Sequence, residues 1–205
     1  MGERREDKRL GIRTAGLREW KNDQTQFNRY EATPYKALKA LKKNYRLNKN
    51  DKLVDFGSGR GRVVFYLHNH FHIPVKGIEA NDKTFDEALN NKKRYRVKAK
   101  HIKAPIKFQY GLAENYKIGK KDNCFFFFNP FSVKIFKKVV KNILRSVEKD
   151  KRTIDLILYY PIDEYKKFLK TSTPFTIINK IKVPGIKVSK EKFIIYRLRE
   201  EDLKD

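Results

Sequence analysis

Apolar positions change their period repeatedly along the chain, and those changes outline the elements. From Thr33-Pro34 onward, Leu38, Leu41 and Tyr45 recur at helical spacing, with Thr33 as cap and Pro34 in the first turn. Lys52 to Phe56 is a short β-rich run closed by Gly57, and Val63, Val64, Tyr66 and Leu67 then suit a helix. Strand-like runs at Pro74–Glu79, Ile106–Tyr110, Asn123–Phe128 and Thr153–Tyr160 alternate with helical ones. Asn81-Asp82 caps a long helix through Phe85, Ala88, Leu89 and Tyr95. Val133–Val147 turns Ile135, Val139, Val140, Ile143 and Leu144 inward, and Asp163–Leu169 is a short helix. The run at 123–128 is apolar on both faces, which belongs in the centre of a parallel sheet. Phe175–Val183 and Phe193–Arg199 alternate apolar with polar, as edge or antiparallel strands do. The pattern predicts an α/β, Rossmann-like, doubly wound and mostly parallel sheet with a C-terminal antiparallel hairpin. Residues 1–30 carry charge with little periodicity and read as a basic N-terminal arm, solvated or a polar helix, ahead of one domain over 31–205.

Composition adds a partner class. Lys and Arg number 49 against 24 Asp and Glu in 205 residues, a net charge of +25. Such a field attracts polyanions, and nucleic acid is the expected partner. A hydrophobic fraction of 40% with 13% aromatics excludes a disordered chain. No apolar run approaches the ~18 residues of a membrane span. The N-terminus lacks the apolar stretch of a secretory signal, and the single Cys124 makes no internal disulfide. The expectation is a reducing, cytoplasmic setting.

Candidate chemistry concentrates in Asp55-Phe56-Gly57-Ser58-Gly59-Arg60-Gly61, between a strand and a helix. Glycines there let the backbone turn sharply and approach a ligand. The dinucleotide spacing G-x-G-x-x-G needs a glycine or alanine where Arg62 stands, and a carboxylate two residues before the first glycine suits a cationic ligand end better than a pyrophosphate. Glu79 closes the next strand, ~20 residues on, where doubly wound folds hold ribose hydroxyls.

Asp55 through Gly61 with Glu79 resembles the class I S-adenosylmethionine-dependent methyltransferases. The resemblance covers roughly residues 30–200. It implies a seven-stranded sheet, S-adenosyl-L-methionine as cofactor over the carboxyl ends of the strands, and Asp55, Gly57, Ser58, Gly59, Gly61, Glu79 and Ala80 as its contacts. Tyr30-Glu31-Ala32-Thr33-Pro34-Tyr35 and Phe128-Asn129-Pro130-Phe131 are similar to segments of small bacterial methyltransferases with Y-E-x-T-P-Y and N-P-F motifs. The resemblance then has Thr33 and Tyr35 closing the pocket. The family pattern Gly-Asp-Ala after the third strand reads Gly111-Leu112-Ala113 here, so Leu112 and Ala113 occupy the adenine position and the usual acid is missing; Glu114, a neighbouring amide or water would have to replace it.

Methyl transfer to an amine needs the nucleophile held near the methyl and desolvated. Asn129, Pro130 and Phe131 are the candidate catalytic residues. Asn129 offers an amide oxygen, Pro130 leaves the strand-end carbonyl out of the helix, and Phe131 walls the acceptor. The reading is an N-methyltransferase acting on RNA, more than DNA, or on another macromolecule. The alternatives are a protein lysine or glutamine methyltransferase, or a basic RNA-binding module that kept the fold without the chemistry. Lys92, Lys93, Arg94, Arg96, Lys98 and Lys100, with Tyr95 among them, form the expected nucleic-acid patch; the arm is a second candidate surface. His68, His70 and His72 lack a completing acid or thiol, and no metal is expected.

Overall fold

The computed structural model describes residues 2–16, 31–185, 188 and 190–203. Helix α1 (Glu3–Leu10) precedes α2 (Tyr35–Asn44). Then follow β1 (Leu53–Phe56), α3 (Arg62–Phe71), β2 (Val75–Glu79), α4 (Asp82–Lys98), β3 (Ile106–Tyr110), β4 (Cys124–Phe128) and α5 (Val133–Lys149). The chain ends with β5 (Ile154–Tyr159), α6 (Asp163–Ser172), β6 (Thr176–Lys182) and β7 (Lys192–Leu198). All seven strands join one sheet in the order β3-β2-β1-β4-β5-β7-β6. Strands β1 to β5 pair in parallel, and β7 enters antiparallel between β5 and β6. The doubly wound sheet with an antiparallel C-terminal hairpin is the architecture the periodicity predicts.

Two apolar layers cover the sheet. Leu38, Val64, Leu67 and Tyr95 pack on the face shared by Leu53 and Phe126. Ile135, Val139, Ile143 and Leu169 pack on the opposite face with Val54, Phe125 and Phe127. Strand β4 therefore buries both faces, as its unbroken apolar run requires. Cys124 is buried within it.

Local signals hold with small shifts. Asn81 caps α4 by accepting from the Thr84 amide at 2.9 Å. Thr33 does not cap α2: Pro34 occupies that position, and the Thr33 carbonyl instead accepts from the Arg62 guanidinium at 3.2 Å. In the N-terminal arm, α1 turns back at Gly11 (φ 72°), and Leu10 and Ile12 join the core. Residues 17–30 of the arm, Tyr30 included, lie outside the described residues. No helix among the described residues is long and apolar enough to cross a membrane.

Candidate active site

The chain runs outward from β1 to β2 and β3, then returns to the other side of β1 to lay down β4 and β5. The order reverses between β1 and β4, and a doubly wound sheet opens its ligand crevice outside the strand ends at that point. There Gly57-Ser58-Gly59 follows β1 and Asn129-Pro130 follows β4. The two stretches touch. A β-carbon added at Gly57 would lie 2.6 Å from Cβ of Pro130, and Gly57 has φ +72°. Only glycine fits both demands. The loop also lies across β2, because a β-carbon on Gly77 would meet Ser58 Oγ at 2.5 Å. The Gly57 and Ser58 amides both donate to the Ile78 carbonyl, at 2.9 and 3.0 Å.

Two buried carboxylates face this loop. Glu79 accepts from the Gly59 amide at 2.7 Å and from the Asn81 amide at 2.8 Å. Burial pushes its carboxyl above the ordinary range, and those amides pull it partly back. Asp55 is 3% exposed. Burial, and then the nearby charge of Glu79, push its carboxyl well above the ordinary range. Ser58 Oγ is buried with no hydrogen-bond partner among the described residues, and so is Ser132 Oγ after the Asn-Pro step. Two buried acids and buried hydroxyls without partners among the described residues leave polar groups that a protein core would satisfy, and a polar, cationic ligand would complete them.

Beyond β2 and β3 the site turns apolar. Ala80 follows Glu79, Leu112 is 40% exposed, and Ala113 starts a 3-10 turn with its side chain buried. Tyr110, also exposed, lies tilted against Phe85 at 5.7 Å between centroids. Glu114, the acid offered in place of Leu112, has its carboxylate 4.0 Å from Lys138 on α5.

The acceptor side carries a signal the sequence reading missed. Asn129 (φ +40°) and Tyr160 (φ +50°) are two of three non-glycine residues with positive φ among those described. Phe128 pairs with Tyr159, so Asn129 and Tyr160 sit side by side at the ends of β4 and β5. Positive φ is uncommon for Asn and an outlier for an aromatic residue, and such strain gathers at functional sites. No local motif marks Tyr160; only the register does.

Three expected site residues have other work. Phe131 is 2% exposed, edge-on to Phe127, and its carbonyl accepts from the Tyr165 hydroxyl, so its ring is core and walls no acceptor. Thr33 is buried beneath Arg62. Tyr35 is 2% exposed and donates to Asp7 at 2.6 Å, so it anchors α1 instead of closing a pocket. Among the basic residues of α4, Arg96 is spent on the Ile102 and Ala104 carbonyls at 2.9 and 2.8 Å. Tyr95 is fully buried against His68 at 2.8 Å and stacks no base. His68 puts its other ring nitrogen 2.9 Å from the Ala104 carbonyl, and burial lowers its pKa to about 4.

No family model matches the chain, and no curated protein matches it in sequence. Solved structures do match in shape. An RNA methyltransferase from Salinibacter ruber in complex with S-adenosyl-L-homocysteine is 14% identical with a TM-score of 0.58, over 86% of this chain and 97% of that one. A precorrin-6y C5,15-methyltransferase from Geobacter metallireducens is 14% identical with a TM-score of 0.55, over 80% and 86%. The Pyrococcus abyssi tRNA (uracil-54, C5)-methyltransferase in complex with S-adenosyl-L-homocysteine is 16% identical with a TM-score of 0.53, over 80% of this chain and 38% of that one. At these identities the likeness is one of fold: this chain is built on the Rossmann-like sheet that these methyltransferases share.

Proposed function

We propose that the protein is an S-adenosyl-L-methionine-dependent methyltransferase that N-methylates an amine on RNA or another macromolecule. The observation that carries this reading is the contact of the glycine loop with the Asn129-Pro130 step at the reversal of strand order, above two buried acids. The fold likeness supports it, and so do the unpartnered Ser58 hydroxyl and the close-packed glycine cradle.

Bound there, S-adenosyl-L-methionine supplies a methyl group on a cationic sulfonium. The chain's residues do the holding. Gly57, Ser58, Gly59 and Gly61 bring backbone close to the ligand, and Glu79 takes the ribose hydroxyls. Asp55 supplies the acid for the cationic end. Burial, and then the charge of Glu79, raise its pKa, and a bound cation would bring it back down. Ala80, Leu112 and Ala113 offer an apolar wall to the adenine, with no acid for its amino group. On the acceptor side Asn129 receives an N–H on its amide oxygen and aims the nitrogen lone pair at the methyl, while Pro130, seated on Gly57, fixes the distance between acceptor and donor. Tyr160, beside Asn129, takes the wall position that buried Phe131 leaves.

Calorimetry with S-adenosyl-L-homocysteine, then transfer of tritiated methyl into fractionated lysate RNA, protein and small molecules, tests the reading. The expected result is micromolar-class binding and label in the RNA fraction. Absence of binding at high concentration sinks the enzyme reading, and RNA binding alone moves the chain to a non-catalytic module. Label in protein replaces the substrate.

A further inference from the structure

The basic residues of the arm and of α4, separate in sequence, come together. Arg4 and Lys8 on α1, Arg13 on the returning segment, and Arg94 and Lys98 on α4 line a cleft of about 650 Å³. Its walls between the cations are mostly apolar, with Ile12 buried at the base and Val97 66% exposed.

Among the described residues the cleft's charge is uncompensated. Its one acid, Asp7, is consumed inward: its carboxylate accepts from the Thr14 amide and hydroxyl at 2.5 and 2.7 Å and from the Tyr35 hydroxyl at 2.6 Å. Arg94 donates to neutral Asn91 at 2.5 Å and Lys98 to the Lys8 carbonyl at 2.7 Å, so neutral oxygens hold both cations in place. None of the five cations forms an ion pair among the described residues. A backbone bond from Arg13 to Asn91 at 2.8 Å, and two from the Asn91 amide to the Arg13 and Arg60 carbonyls at 3.0 and 2.9 Å, fix the segment to α4. These bonds hold the returning segment against α4.

We infer that this cleft between α1 and α4 binds a single-stranded stretch of RNA flanking the methyl acceptor. Cations on both rims match a chain of phosphates, and the apolar walls match the face of an unpaired base. A stiff duplex presents its charge on a broad convex surface and does not enter a slot. The place is set by α4: at 1.5 Å per residue, Lys98 lies roughly 24 Å along the helix from Asp82, which starts beside Glu79. The other end of the cleft, Ala15, is bonded through its carbonyl to Arg60 of the glycine loop at 2.8 Å. A strand in the cleft thus runs toward the catalytic edge without covering it. The inference rests on the RNA reading of that edge.

Fluorescence anisotropy of a labelled unpaired RNA, titrated with the whole protein at several salt concentrations, tests it. The triple variant Arg4→Glu/Arg13→Glu/Lys98→Glu is expected to bind at least tenfold more weakly. Its slope of log K against log salt should be flatter by about 2, at ~0.7 per lost phosphate contact. The control Lys92→Glu/Lys93→Glu/Lys100→Glu makes the same charge change on α4 and its end, outside the cleft, and should stay within threefold of wild type. Equal losses in the two triples overturn the inference, because the general field then suffices. So does a preference for duplex, or polyglutamate competing as well as RNA. Both triples should bind S-adenosyl-L-homocysteine as wild type does. A protein that binds RNA through the cleft without that ligand overturns the methyltransferase reading and leaves the cleft standing, and one that binds the ligand but no RNA does the reverse.

Discussion

Two buried polar clusters flank the segment Gly57–Arg62, and they are solved differently. In the buried cluster on the α1 side the charges are answered. Arg62, 4% exposed, reaches Glu3, donates to Thr14 Oγ1 at 2.7 Å and lies 4.4 Å over the Tyr35 ring, while Asp7 takes Thr14 and Tyr35. On the strand-end side Asp55 faces the like charge of Glu79, and the Ser58 hydroxyl has no partner among the described residues. A closed network belongs to the fold. An open one belongs to whatever completes it. Burial alone does not separate the two; the balance of charge and hydrogen bonds does.

The largest effect is expected from breaking the closed cluster. Asp7→Ala leaves the Tyr35 hydroxyl and the Thr14 amide and hydroxyl without their acceptor and removes the carboxylate that lies 3.8 Å from the buried Arg62 guanidinium, at a cost of about 3–5 kcal/mol. With roughly 2–4 °C of Tm per kcal/mol in a chain of this size, the midpoint should fall by roughly 6–20 °C. A fall under ~3 °C by scanning calorimetry means that the network is not mutual.

Gly57→Ala strikes the contact between the loop and Pro130. The added carbon meets Pro130 at 2.6 Å in a left-handed backbone, so the loop must shift. The expected stability loss is ~1–3 kcal/mol. Affinity for S-adenosyl-L-homocysteine should fall at least tenfold, and retained affinity would detach the loop from the site. Glu79→Ala should weaken the same ligand by ~1–3 kcal/mol, the worth of hydrogen bonds to a charged group. Wild-type binding by this variant removes the ribose assignment.

Asp55→Asn should move stability the opposite way. The folded-state pKa of Asp55 lies above its ordinary 3.8, so the folded protein holds this proton more tightly than the unfolded chain. Its contribution is complete below about 3.8 and is lost as pH rises through the raised value. Asparagine does not titrate. The variant should therefore melt higher than wild type at pH 7, with the gap closing toward pH 4. It should also bind the sulfonium cofactor less well than its neutral thioether product, relative to wild type. A stability gap that widens as pH falls contradicts the open-cluster picture.

How much of this was legible follows from how local each determinant is. The sheet was, because a period, a Gly turn or an Asn cap is written in adjacent residues: Ile106–Tyr110 matches β3 to the residue, and Asn81 caps α4. That Gly57–Gly61 turns between β1 and α3, with Glu79 closing β2, was legible for the same reason. Tyr35 was not, since its partner Asp7 is 28 residues away, nor Arg62, whose partner Glu3 is 59 away. Phe131 read as the acceptor wall because a residue after a strand end has no periodicity to show that it folds back onto Phe127. The basic run on α4 read as one surface because charge carries no direction; the fold buries Tyr95, spends Arg96 and hands Arg94 and Lys98 to the cleft.

Leu112 sharpens the comparison with the smallest expected effect. The resemblance puts an acid here for the adenine amino group, and the open cluster has none at this end. The side chain is 40% exposed, so Leu112→Asp should change stability by less than ~0.5 kcal/mol. Its effect should show in discrimination instead. Wild type, with only an apolar wall, should bind S-adenosyl-L-homocysteine and its inosine counterpart nearly equally, because nothing at 112 accepts the amino hydrogen. The variant gains one partly solvated acceptor, worth ~1 kcal/mol, and should prefer the adenine form about fivefold. A strong adenine preference already present in wild type would mean that another group, with Glu114 the first to test, has taken over the role; the double variant Leu112→Asp/Glu114→Gln then assigns it.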